Sequence, residues 1–331
     1  MKHTLVATVM VGVIGGGLHT AALAQAPDDA QAKAQAVLVE VTKAMGGDKA
    51  AGLESLSAEG EFRRTFGDRE MAGGVELFAV LPDIFQQVTV MERPDGMPGM
   101  RMTMTMNGDD AFRDQSGGGG FMRFGGGGPG GPGGGPGGPG VGVTVGGGPG
   151  GGPGGGPGGR GERLDPAVQI RTEMYRLLLG VLPGKPALSK LSYAWVARAE
   201  SPNGAADVID VTGPDNFTAR LFIDEATRRP LMLSFQQRQA MQRVAPPPEL
   251  ETQEERRAWF EEQRAKMAAA GPPPMVEARV FFADFQEVNG VTFPHRITRQ
   301  VEGQVQEQIT IQKYKVNPSL KPAQFQKKSS E

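Results

Sequence analysis

VEARVFFADFQEVNGVTFPHRITRQVEGQVQEQITIQKYKV, residues 276–316, is the stretch that decides how this chain folds. At its centre Asn289-Gly290 is a two-residue hairpin signal, because a type I′ turn needs positive φ at both central positions. The strand that follows alternates: Val291, Phe293, His295, Ile297 and Val301 share one face, and Thr292, Arg296, Thr298 and Gln300 share the other. Glu302-Gly303 turns the chain again. Val305, Ile309 and Ile311 are then expected to face inward, with Gln304, Gln306, Gln308, Thr310 and Gln312 facing water. Apolar residues at every second position describe an antiparallel sheet with one dry and one wet face.

The same pattern extends toward the amino terminus. Leu56, Ala58, Gly60 and Phe62 alternate with Ser57, Glu59, Glu61 and Arg63. Further runs predict strands at Met71–Leu81, Ile84–Val90, Met100–Asn107, Leu191–Ala199, Ala206–Thr212, Phe217–Ile223 and Leu231–Gln239, the last two paired across Asp224–Arg228. Two amphipathic helices complete the pattern. One runs from Asp28-Asp29 to about Met45 with Val37, Leu38, Val41 and Met45 on one face. The other spans Leu164–Leu182, opened by Asp165-Pro166 and closed by Gly180 and Pro183. About ten or eleven antiparallel strands without βαβ alternation make the fold mainly β (α+β): one large curved sheet or open barrel with helices on one side.

Two insertions interrupt it. Residues 117–161 hold 29 of the 50 glycines and 7 prolines without a strict Gly-X-Y period, so a collagen helix is disfavoured and a disordered surface loop is expected. The tract reads first as an inert spacer; the alternative is that the bulky residues near its start, Phe121, Met122 and Phe124, dock on the body or on a partner. Residues 246–274 form a charged helix, Glu249–Ala270, between two Pro-Pro-Pro triplets, with Trp259 and Phe260 expected to pack it on the sheet or to meet a partner.

Lys2, the apolar run Leu5–Leu18 and Ala22-Leu23-Ala24 read as a secretory signal, residues 1–24, cleaved before Gln25. That leaves residues 25–331 as a single domain carrying both insertions, exported to the periplasm. The apolar run is shorter than the roughly 20 residues that span a bilayer, and no later segment is longer, so no integral membrane segment is expected. The chain has no cysteine, which removes disulfides, thiolate metal sites, cysteine nucleophiles and the acylated cysteine of a lipoprotein. His295 is the only histidine after the signal, so one subunit has no histidine cluster for a metal. A formal net charge of −2 gives no electrostatic reason to bind nucleic acid or an anionic membrane.

Candidate chemistry is sparse. Met100, Met102, Met104 and Met106 fall on one face of a strand. They read as ordinary core, as a pliable wall for a lipid, or as thioether ligands for Cu(I), the last without a nearby histidine or cysteine. His295, on the apolar face of its strand, reads as a satisfied core histidine rather than a catalytic base. No Gly-x-Ser-x-Gly elbow accompanies it. Asp109, Asp110 and Asp284 read as solvated turn carboxylates, and GxGxxG-like matches in the glycine tract follow no buried parallel strand. No catalytic residue, metal or cofactor is assigned.

The string from Phe282 to Ile297 (FADFQEVNGVTFPHRI), its continuation ITIQKYKVNPSL from Ile309 and the close at Phe325 resemble exported proteins of the LolA/LolB-like outer-membrane lipoprotein-sorting carrier superfamily. The amino-terminal part is similar too, with a first helix ending at Met45-Gly-Gly, a strand across Gly60, and Leu81-Pro82 before the next strand. The resemblance covers most of the chain outside the two insertions. It implies a half-open antiparallel barrel whose helices cap a hydrophobic cavity that shelters acyl chains, and no enzymatic activity. On that reading the cavity wall comprises Met100, Met102, Met104, Met106, Phe62, Leu77, Phe293, His295 and Ile297. The expected partners are lipid or lipoprotein acyl chains, with the protein a monomer. In the carrier an arginine inside the cavity helps control opening, and Arg64, on the apolar parity of its strand, is one candidate here. A sensor or regulatory module that recruits an envelope protein through the same fold is the alternative.

Overall fold

A computed structural model describes residues 28–66, 69–92, 99–116, 165–184, 188–202, 204–239, 247 and 252–326. The expected signal segment and the glycine tract lie outside them.

The deciding stretch folds as read. Strands β10 (Met275–Val288), β11 (Val291–Val301) and β12 (Gln304–Val316) form consecutive hairpins. Both turns have positive φ throughout: 54° and 81° at Asn289-Gly290, 50° and 79° at Glu302-Gly303. One inward assignment is corrected. A bulge between Arg299 and Gln300 shifts the register, so Val305 pairs with Gln300 and stands 49% exposed.

Before the glycine tract come β1 (Ser55–Phe66), β2 (Arg69–Val80), β3 (Ile84–Met91), β4 (Met100–Asn107) and β5 (Asp110–Ser116). After it come β6 (Ser192–Ser201), β7 (Gly204–Gly213), β8 (Phe217–Asp224) and β9 (Pro230–Arg238). The twelve strands form a single sheet in the order β5-β4-β3-β2-β1-β12-β11-β10-β9-β8-β7-β6. It is two antiparallel meanders joined at one seam, the pairing of β1 with β12. β5 and β6 stand at its two ends, so the sheet is open.

Four helices accompany it. α1 (Asp28–Ala44) buries Ala34, Val37, Leu38 and Val41 and packs along β6, shielding that end of the sheet. A short α2 (Asp48–Ala51) follows. α3 (Pro166–Val181) is capped by Asp165, whose side chain accepts from the Ala167 amide at 2.9 Å, with Pro166 at the first helical position. It buries Ile170, Met174, Tyr175, Leu178 and Leu179. α3 touches β5 and β4 at one end of the sheet and β9 and β8 toward the other. Eight strand spacings would span about 38 Å if flat, wider than the roughly 24 Å length of a 16-residue helix. The sheet must therefore be curled around α3, which runs through the concave side as its central filling.

α4 (Gln253–Ala270) has a capping box between Thr252 and Glu255. None of its described side chains is buried, and Trp259 and Phe260 meet each other edge to face at 5.0 Å. The expectation that this pair packs α4 down on the sheet is corrected: α4 stands out into solvent. The carboxy-terminal segment crosses the convex face of β3 and β4, where Phe325 is fully buried and Gln86 donates to Thr105 Oγ1 at 2.9 Å and to the Gln324 carbonyl at 3.1 Å.

Candidate functional site

The concave face is apolar through most of its depth. Leu56, Leu77, Ala79 and Phe85 from β1–β3 face Met174, Leu177, Leu178, Val181 and Leu182 of α3 and its end, around a cavity of about 30 Å³. That volume is about what one water-sized or methyl-sized group fills. Side chains of α3 and the sheet therefore fill nearly all of the concave interior.

The structure places the nine expected wall residues as follows. Phe62, Leu77, Met106, Phe293 and Ile297 are buried in the core. Met104 packs against it, and Met100 and Met102 continue the same face toward the rim, half-buried. Leu77 is the one of the nine that lines the cavity, and Met106 stands opposite its neighbour Phe85. His295 points Nδ1 at the Ile311 carbonyl oxygen, 2.8 Å away, so Nδ1 carries the proton. Its ring meets the edge of Tyr314 at 5.1 Å, and Tyr314 donates to the Pro294 carbonyl at 2.6 Å. His295 thus serves as a seam between β11 and β12.

Polar side chains also gather on the concave face, where sequence patterning gave only Arg64. Pairing aligns Arg64 of β1 with Glu307 of β12 and Glu307 with Arg299 of β11, placing all three on the same face as Phe62 and Ile309. Arg64 and Glu307 form an ion pair at 2.5 Å. Glu173 of α3 is held between two arginines, Arg176 at 2.9 Å and Arg299 at 3.2 Å. The guanidinium carbon of Arg176 sits over the Phe235 ring, 3.4 Å from its centre, and Arg299 also donates to Gln237 at 2.6 Å. Arg113 of β5 stands opposite Met104 and, among the described residues, reaches only its sulfur, at 3.5 Å. The signal for this cluster was charge at apolar parity: Arg64, Arg299 and Glu307 each break the inward pattern of their strands.

Burial alone would raise the Glu173 carboxyl pKa, but the charges of Arg299 and Arg176 outweigh it and hold the group below its ordinary value of 4.5. Burial lowers the Arg176 and Arg113 guanidinium pKa values, and the neighbouring charge of Arg64 lowers that of Arg113 further. A carboxylate with a depressed folded pKa contributes stability above its unfolded value, lost as pH falls through the folded one. Glu173→Gln is therefore expected to cost about 1 kcal/mol at pH 7, a modest figure because the Glu173 side chain keeps 40% exposure. The gap to the parent should close as pH drops below 4.5, which urea unfolding at pH 7 and pH 3.5 measures.

Among the described residues no group of three His, Asp or Glu side chains could hold a metal ion, and no helix is long and apolar enough to cross a membrane.

No protein-family model matches the chain, and no curated protein matches it. Solved structures similar to the chain include the following three. One is a domain named for outer membrane lipoprotein sorting from Vibrio parahaemolyticus, at 9% identity and TM-score 0.45, covering 89% of this chain and 97% of that one. Another is a LolA superfamily protein from Nitrosomonas europaea, at 11% identity and TM-score 0.43, with 89% and 97% covered. The third is a DUF1329 family protein from Desulfovibrio piger, at 7% identity and TM-score 0.43, with 90% and 97% covered.

Proposed function

We propose that the protein is a periplasmic carrier that shelters an apolar chain, the acyl chain of a lipid or lipoprotein, between α3 and the curled sheet, with no covalent step. The observation that carries this reading is the interior itself: an open sheet whose apolar concave face is filled mainly by one helix, with a small unfilled cavity at their contact. The energetics set the ligand's size. Burying a methylene contributes about 0.8 kcal/mol, so four supply about 3 kcal/mol and fifteen about 12 kcal/mol. Only a long chain offsets the loss of α3 contacts.

A fluorescent C18 fatty-acid probe should bind saturably with one site per protein. Palmitate should displace it and butyrate should not. An absence of saturable uptake, or equal competition by both acids, contradicts the reading.

A second reading has its own observation. α4 presents Phe260 and Met267 at 52% and 45% exposure on a helix that buries nothing. An envelope-partner module would use this face. A Trp259→Ser/Phe260→Ser variant that keeps probe binding but loses a captured envelope protein would favour it.

A further inference from the structure

We propose that Arg113 and Arg64 bind the anionic oxygen headgroup, carboxylate or phosphate, of the amphiphile whose chain occupies the concave face. This rests on the carrier reading and names its ligand class.

Four guanidinium groups, those of Arg64, Arg113, Arg176 and Arg299, share this part of the concave side with two carboxylates, Glu173 and Glu307. Glu173 and Glu307 are engaged by Arg176, Arg299 and Arg64, which leaves Arg113 without a carboxylate among the described residues. Its Nε is buried with no hydrogen-bond partner, as are the Nε atoms of Arg176 and Arg299. A partly desolvated guanidinium beside a second one, bonded itself only to a thioether among the described residues, is costly unless an anion joins it. Guanidinium forks match carboxylate and phosphate oxygens two at a time.

The surroundings say what the anion is attached to. Arg113 pairs across the strands with Met104, and two residues along β4, about 7 Å away, lies Met106, opposite the cavity-lining Phe85. On α3, Glu173 and Arg176 alternate with Met174 and Leu177, which line that same cavity. A headgroup at Arg113 and Arg64 would run its first methylenes over Met104 and Met106 and its tail beneath α3. The register also puts the cluster toward the rim at which β5 ends, Ser116 pairing with Arg101 near the start of β4. The methionine stripe is then the passage between head site and tail site.

The test compares a fluorescent C18 fatty acid with its methyl ester at pH 7.5, in the full-length protein and in Arg113→Gln and Arg113→Lys. The acid is expected to bind at least tenfold tighter than the ester. Arg113→Gln should cut the acid's affinity about tenfold and leave the ester's unchanged, and Arg113→Lys should retain most of it. Inorganic phosphate at 10 mM should weaken acid binding and not ester binding. Equal affinity for acid and ester, or a loss in Arg113→Gln that affects both alike, overturns the headgroup site while the carrier reading stands. Phosphate binding that needs Arg113 without any preference for acid over ester would mark a free-anion site and overturn the amphiphile assignment. If neither probe binds, the carrier reading fails and this site fails with it. The ester serves as the folding control for each variant.

Discussion

Gly60→Ala is expected to lower stability by about 3 kcal/mol, or roughly 6–12 °C in melting temperature for a domain of this size. The reason is local and steric. Gly60 lies at the register shift in the pairing of β1 with β12. A Cβ there would stand 2.2 Å from the Thr310 carbonyl oxygen and 2.8 Å from the Ile311 Cα. Both are backbone atoms of the partner strand, so no side chain can swing aside, and relief requires β1 and β12 to separate. That pairing is the single seam joining the amino-terminal five strands to the carboxy-terminal seven. The damage should therefore extend beyond stability. Thermal melts should broaden as the two meanders lose their common cooperativity, and uptake of an acyl probe should fall with them. Gly74→Ala is the control, because a Cβ at Gly74 meets nothing within 4 Å. It should cost less than about 1 kcal/mol.

Gly180→Ala should be the second large effect, and the more informative one for function. Gly180 is on the buried face of α3, where its Cβ would fall 1.9 Å from one ring carbon of Phe282 and 2.0 Å from another. Phe282 is 3% exposed on β10, so its ring cannot turn out into solvent. Replacing a helical glycine by alanine ordinarily stabilises a helix by about 1 kcal/mol. Overpacking a closed core costs about 1–3 kcal/mol and sometimes more. With an overlap of more than 1 Å, overpacking should win and leave a net loss of about 2 kcal/mol in urea unfolding. The compensating pair Gly180→Ala/Phe282→Leu should recover most of it. If, as proposed, an acyl chain enters between α3 and the sheet, the single variant should also bind a fluorescent fatty acid faster than the parent.

These two glycines show where sequence pattern ends and register begins. Alternation and turn chemistry made the hairpins of residues 276–316 legible, since positive φ at Asn289-Gly290 is a local property. Helix α3 was legible from Asp165-Pro166 and its apolar spacing. β5 was not. Asp110–Ser116 carries five polar residues around Ala111 and Phe112, and as an end strand it has a neighbour on one side only, so its pattern is diluted. Val305 was misplaced because a bulge shifts parity by one residue and no turn signal announces it. The methionine stripe was legible as a face, but its surroundings were not. Arg64, Arg113, Glu173, Arg176, Arg299 and Glu307 come from four strands and a helix: pairing aligns β1, β12 and β11, and β5, four strands away, joins them only through the curl of the sheet around α3. Their trace in the sequence was a charge where the alternation called for an apolar residue.

Native mass spectrometry of the full-length protein, purified from its own host without detergent, tests the central claim most directly. A carrier that encloses a long acyl chain should show, beside the apo ion, a species heavier by the mass of one lipid or acylated peptide. That species should shed its ligand on collisional activation and be replaced one for one by added palmitate. A spectrum of apo protein alone, unchanged by excess palmitate, would contradict the account.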